Sequence, residues 1–145
     1  NVDWRINADG SLENTWILPN GISFGAKAQA LEKEVKMDLW LANGTNQLLD
    51  SLNTQVCVML KGADGYTQLD NLNKVFCPNA VALKSANSDR WIITCWENTF
   101  NCWGNADVPC FHTDPKFPDC QPGDTMRLKG KIWFYKGNNI ERQMW

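Results

Sequence analysis

The chain has a single histidine, His112, and no Gly-x-Ser-x-Gly elbow, which argues against a serine-type triad. Its six cysteines (Cys57, Cys77, Cys95, Cys102, Cys110 and Cys120) include no Cys-x-x-Cys pair, so neither a zinc ribbon nor a thioredoxin-like redox centre is expected. No apolar run approaches the ~18 residues that span a bilayer, and no charged-then-apolar leader opens the chain, so no membrane insertion is expected. Positive charge is not in excess. Lys and Arg number 14 against 16 Asp and Glu, giving a net charge of -2 and a pI near 5.3, without the basic field that recruits nucleic acid or an anionic membrane. A helical hydrophobic period, an internal repeat and a low-complexity segment are also absent.

What is present is a globular composition, 43% hydrophobic and 21% charged over 145 residues, which suits one domain spanning residues 1–145. Short alternating segments separated by turns run through it. Asp9-Gly10 closes a first hairpin, and Pro19-Asn20-Gly21 turns the chain into Ile22 to Gln29. Glu34 to Leu41 alternates most cleanly, with Val35, Met37, Leu39 and Leu41 inward and Trp40 on the polar face. Asn43-Gly44 marks a turn, and its overlap with a glycosylation sequon is read as structural. Thr54 to Lys61 is a strand with both sides buried, and Tyr66 is exposed on the loop after it. Thr125 to Lys136 is the last long strand: Met126, Leu128, Ile132 and Phe134 face one way, and Arg127, Lys129, Lys131, Trp133 and Tyr135 the other. Gly130 interrupts the inner set, as a bulge or close backbone approach requires. The tail to Trp145 is a short strand or disordered. The expected core is Val35, Met37, Leu39, Leu41, Val56, Val58, Leu60, Ile93, Leu128, Ile132 and Phe134. About eight such strands predict an all-β, antiparallel β-sandwich, jelly-roll or immunoglobulin-like.

The chemistry concentrates between Trp91 and Cys120, which holds three of the eight tryptophans, four of the six cysteines and the histidine. After a strand at Trp91 to Trp96, the prolines and glycines from Asn98 to Gly123 predict a long cysteine- and proline-rich loop. Loops beyond ~12 to 15 residues are usually functional or pinned. The even cysteine count suggests disulfides, at least one of them inside the stretch from Cys102 to Cys120 with its partners left open, and a secreted chain.

Three constellations compete for function. Cys110-x-His112-x-Asp114, followed by Asp119-Cys120, has the residue types of a zinc or copper site, while Asp107, Asp114 and Asp119 on irregular backbone are candidates for a structural calcium. The reading adopted for this segment is turn formation, with no cofactor beyond that calcium. Glu97 with Asp107 or Asp119 could form a carboxylate pair for glycoside hydrolysis, but carboxylates on loops are usually solvated surface. The third constellation is Trp133, Tyr135, Arg127 and Lys131 on the last strand, with Trp40 and Trp103 beside them. Flat aromatic faces interleaved with long hydrogen-bonding cations suit stacked sugar rings. The expectation is therefore a non-catalytic carbohydrate-binding module of a secreted polysaccharide-processing protein, with a polysaccharide or oligosaccharide as partner. A small glycoside hydrolase or lyase and a cell-surface protein-interaction module are the rival classes.

Overall fold

The computed structural model describes residues 3–144 and is an all-β antiparallel sandwich of two sheets. Among the described residues eleven strands form, in chain order: β1 (Arg5–Ile6), β2 (Leu12–Ile17), β3 (Ile22–Ala30), β4 (Glu34–Asn43), β5 (Cys57–Met59), β6 (Lys74–Phe76), β7 (Ala80–Lys84), β8 (Arg90–Trp96), β9 (Thr99–Gly104), β10 (Cys110–Pro115) and β11 (Thr125–Lys136). The large sheet has the order β1-β2-β3-β4-β11-β8-β7-β6, and the small one β5-β10-β9. The tail is neither strand nor disordered over its described part: Glu141–Met144 makes one helical turn, α1, and Trp145 lies outside the described residues.

The period-2 alternation of β4 and β11 sets their shared register, Trp40 opposite Arg127 and Leu39 opposite Leu128, so the inward sets of both strands fall on one face. Met37, Leu39, Leu41 and Met126 pack there against Trp96, Phe117 and Leu128. Further along the same inter-sheet layer, Val81, Leu83 and Ile92 meet Leu60 and Phe111 of the small sheet, with Val58 and Ile132 against them. A second cluster occupies the opposite face of the large sheet, where Trp91 and Ile93 pack under Ile140 and Met144 of the tail. Strands β7 and β8 are therefore buried on both faces, which is why they read as continuous apolar runs.

Several sequence expectations are corrected. The segment Asn98 to Gly123 is not a long loop, because it contains β9 and β10. Proline is compatible with this because Pro109 directly precedes β10 and Pro115 ends it, where the register shifts. The turn at Glu97 and Asn98, the latter at φ 51, carries the chain from the large sheet into the small one. All six cysteines are free thiols, so no bridge forms within the stretch from Cys102 to Cys120, where at least one is expected. Backbone hydrogen bonds do the pinning instead: Thr54 N donates to Pro115 O (3.0 Å), Phe117 N to Leu52 O (3.0 Å), and Leu49 and Cys120 bond each other. In β5 only one side is buried, since Val56, Val58 and Leu60 point inward while Cys57 and Met59 are exposed. Tyr66 is half-buried rather than exposed. Phe134 is not core but 62% exposed, because β4 pairs with β11 only as far as Trp133 and no element of the second sheet covers the strand beyond it. Asn43 is buried, its Nδ2 donating to Gln47 O and Cys120 O, so its side chain is committed to the turn as expected.

Candidate functional site

The residues expected to form one aromatic ligand surface are dispersed. Trp40, Arg127, Lys131, Trp133 and Tyr135 do share the outer face of the large sheet, as their register requires. Trp133 and Tyr135 are half-buried, however, packed against the Trp91 and Ile93 cluster, and the Lys131 ammonium stands 4.3 Å above the Trp133 ring. Trp40 lies over Gly25 on the neighbouring strand β3, where a side chain of any size would meet its indole. Trp103 belongs to the other sheet. A hollow of about 490 Å³ on the outer face is lined by charged groups of both signs, among them Glu34, Asp38, Lys129 and Lys131.

A larger hollow, of about 790 Å³, opens at one end of the sandwich. Three segments build it: the turn carrying Asp64, Gly65 and Tyr66, the turn from Ser85 to Arg90, and the end of β11. Gly65 holds the two turns together, since its carbonyl accepts from Ala86 N (2.8 Å). It must be glycine because its φ is 79 and an added Cβ would lie 2.7 Å from Ser85 Oγ. Phe134, Tyr66 and Tyr135 line the hollow, together with Asp64, Asn87 and Arg90. Burial raises the Tyr66 phenol above its ordinary pKa of 10.0, with the charge of Arg90 opposing the shift, so the phenol is a donor at neutral pH.

A third site lies on the outer face of the small sheet. Alternation along β10 points Phe111 into the core and turns Cys110, His112 and Asp114 to the other side. Pairing with β5 sets Cys57 opposite His112 and Met59 opposite Cys110. Cys110 Sγ is 3.3 Å from His112 Nε2, and the ligand atoms of Cys57, Cys110 and His112 all lie within 4.8 Å of one another. On its other side His112 Nδ1 is buried without a hydrogen-bond partner, 3.7 Å from Asp114 Oδ1. Asp114 accepts from Val56 N (2.9 Å) and from Trp103 Nε1 (2.7 Å), and the Trp103 ring covers the imidazole. Burial, and then the neighbouring Cys110 and Asp114, push the Cys57 thiol up to about 11; although Cys57 is an exposed residue, its sulfur sits beside these groups. Burial also lowers His112 below 6.5, against the pull of Asp114.

The spacing Cys110-x-His112-x-Asp114 was legible as a ligand pattern. Cys57, 53 positions before Cys110, had no sequence signal that could place it there. Asp119, proposed beside this pattern, is exposed in the segment after β10. The calcium candidates are not gathered: Asp107 is in the exposed turn before β10 and Asp114 is buried near its far end. Glu97 is exposed, its carboxylate accepting from Lys129 N (2.9 Å).

An all-β, two-sheet antiparallel sandwich is the class this architecture defines. No protein-family model matches the chain, and no curated protein matches it in sequence. Among solved structures it is similar to the Slr1438 protein of Synechocystis sp. PCC 6803, with a TM-score of 0.57 and 8% identity over 94% of this chain and 65% of that one. It is also similar to a protein described as a kojibiose phosphorylase, from the human microbiome, with a TM-score of 0.58 and 9% identity over 99% of this chain and 21% of that one. The chain thus spans just under two thirds of the first and about a fifth of the second, and likeness at this identity defines the fold alone.

Proposed function

We propose that this sandwich binds carbohydrate, and that the ligand sits in the hollow bounded by Tyr66, Asn87, Arg90, Phe134 and Tyr135. The observation that carries the reading is Phe134, a phenylalanine 62% exposed on a strand whose preceding inward residues are covered, which lines a concave surface together with the polar residues Asp64, Asn87 and Arg90. An uncovered aromatic ring in a polar hollow matches a sugar, whose C–H faces stack on the ring while its hydroxyls bond carboxylate, amide and guanidinium groups. Asp64, Asn87 and Arg90 supply those three groups, and Tyr135 retains the part it had in the sequence expectation. The module is read as non-catalytic and as part of a polysaccharide-processing protein. Its extracellular location is part of the proposal and rests on the ligand class, since the thiols are free. A screen of soluble and insoluble glycans tests the reading. At least one glycan should be retained, and Phe134→Ala should weaken that binding by about 1–3 kcal/mol, the scale of an aromatic anchor.

A second reading, a protein-interaction module, has its own observation. On the inner face of β2 and β3, beyond the cover of the small sheet, Trp16 and Phe24 are exposed with their ring planes 8° apart, and Ile6 and Leu12 are exposed beside them. Exposed apolar patches of this kind mark contact surfaces. The two readings occupy different ends of the molecule and respond to different substitutions.

A further inference from the structure

We propose that Cys57, Cys110 and His112 form a binding site for one thiophilic metal ion of the zinc class, with a fourth position open to solvent on the Cys57 side. Two sulfurs and one imidazole nitrogen, all within 4.8 Å of one another, are a donor set that suits zinc; three protein ligands plus one open position is the arrangement of zinc sites that bind water or a further ligand. Adjacent strands fix the set. Cys110 and His112 are two residues apart on β10, hence on one face, and Cys57 is the direct partner of His112 on β5. Because β10 is the middle strand of the small sheet, its ligands are held by pairing on both sides.

The surroundings match what metal-bound histidines need. When Nε2 binds the ion beside Cys110, the other ring nitrogen carries the proton, and that Nδ1 lies 3.7 Å from Asp114 Oδ1 in a buried position with no hydrogen-bond partner. A short approach of the ring makes this the carboxylate–histidine–metal relay that orients a ligating imidazole. Asp114 is itself held by Val56 N and Trp103 Nε1, and the Trp103 ring fixes the plane of the imidazole. On binding, each thiol releases its proton to solvent and both sulfurs bond the ion as thiolates, so two protons leave for each dication bound and nothing is oxidised.

Titration of reduced, chelator-treated protein with cobalt(II), followed by zinc displacement, tests the site. One equivalent of cobalt should give thiolate-to-metal charge-transfer bands with the intense d–d bands of four-coordination, and zinc should abolish them. Cys57→Ser, at an exposed position, should weaken binding at least about tenfold, as should His112→Gln, and Asp114→Asn should cost about 10- to 100-fold. Cys95→Ser, on the other sheet, and Phe134→Ala, in the hollow, should both leave it unchanged, which separates this site from the carbohydrate reading. If His112→Gln fails to fold, as judged by circular dichroism, Cys57→Ser decides alone. The absence of charge-transfer bands, bands undiminished in Cys57→Ser, or a Cys57–Cys110 disulfide in protein isolated without air would overturn the proposal.

Discussion

Trp103 lies flat on His112, with ring centres 3.8 Å apart and planes 8° from parallel, while its indole N–H donates to Asp114. One side chain from β9 thus positions two residues of β10, and through the Asp114 bond to Val56 N it reaches the segment leading into β5. Trp103→Phe keeps the stack and removes the donor from a buried carboxylate. It should lower stability by about 1–3 kcal/mol in urea unfolding, and Trp103→Ala should cost more. Equal stability of Trp103→Phe and the wild type would mean that solvent replaces the indole.

Acid should weaken the metal-free protein in a window set by His112. Burial holds its folded pKa below the ordinary 6.5, so the folded state favours the neutral ring. An unfolded chain takes up the proton at the ordinary value first, so this contribution is complete above pH 6.5 and is lost as pH falls through 6.5 toward the folded pKa. Urea midpoints measured with chelator between about pH 7.5 and 5.5 should fall, and those of His112→Gln should fall less.

Gly130 stands opposite Trp96, whose ring occupies the space a Cβ would need. Gly130→Ala should therefore destabilise the sandwich by about 1–3 kcal/mol, the scale of overpacking, with thermal unfolding as the readout. An unchanged midpoint would show that the indole moves aside freely.

Alternation along β11 puts Leu128 and Phe134 in one inward set, yet they should behave in opposite ways. Leu128 is 3% exposed, and its replacement by alanine should cost about 2–5 kcal/mol. Phe134→Ala should stay within about 0.5 kcal/mol of wild type, as uncovered surface positions do. A large loss on Phe134→Ala would mean that the ring is packed in solution.

The contrast between those two residues shows what the sequence could and could not convey. Alternation fixes the face on which a side chain lies, which is why the inward and outward sets of β4 and most of β11, and the close approach at Gly130, were legible. Coverage of that face depends on where another sheet ends, and nothing local to Phe134 encodes it. The same holds for the proline-rich stretch: Pro109 and Pro115 read as breakers, but they stand at the boundaries of β10, where a missing N–H costs no pairing. Cys110, His112 and Asp114 were visible as a pattern, whereas Cys57 and Trp103 joined them only through strand pairing across the small sheet. Trp133 and Tyr135 were placed on the correct face, but the packing of the tail residues Ile140 and Met144 there depends on tertiary contacts.

The most direct measurement of the carbohydrate reading is amide shift mapping during titration of a retained oligosaccharide into isotopically labelled protein. Binding in the hollow should move the signals of Tyr66, Asn87, Arg90, Phe134 and Tyr135, saturate at one site, and be weakened by Phe134→Ala with the rest of the spectrum preserved. Shifts confined to Trp16, Phe24 and their neighbours, or no saturable shift with any glycan of the panel, would contradict it.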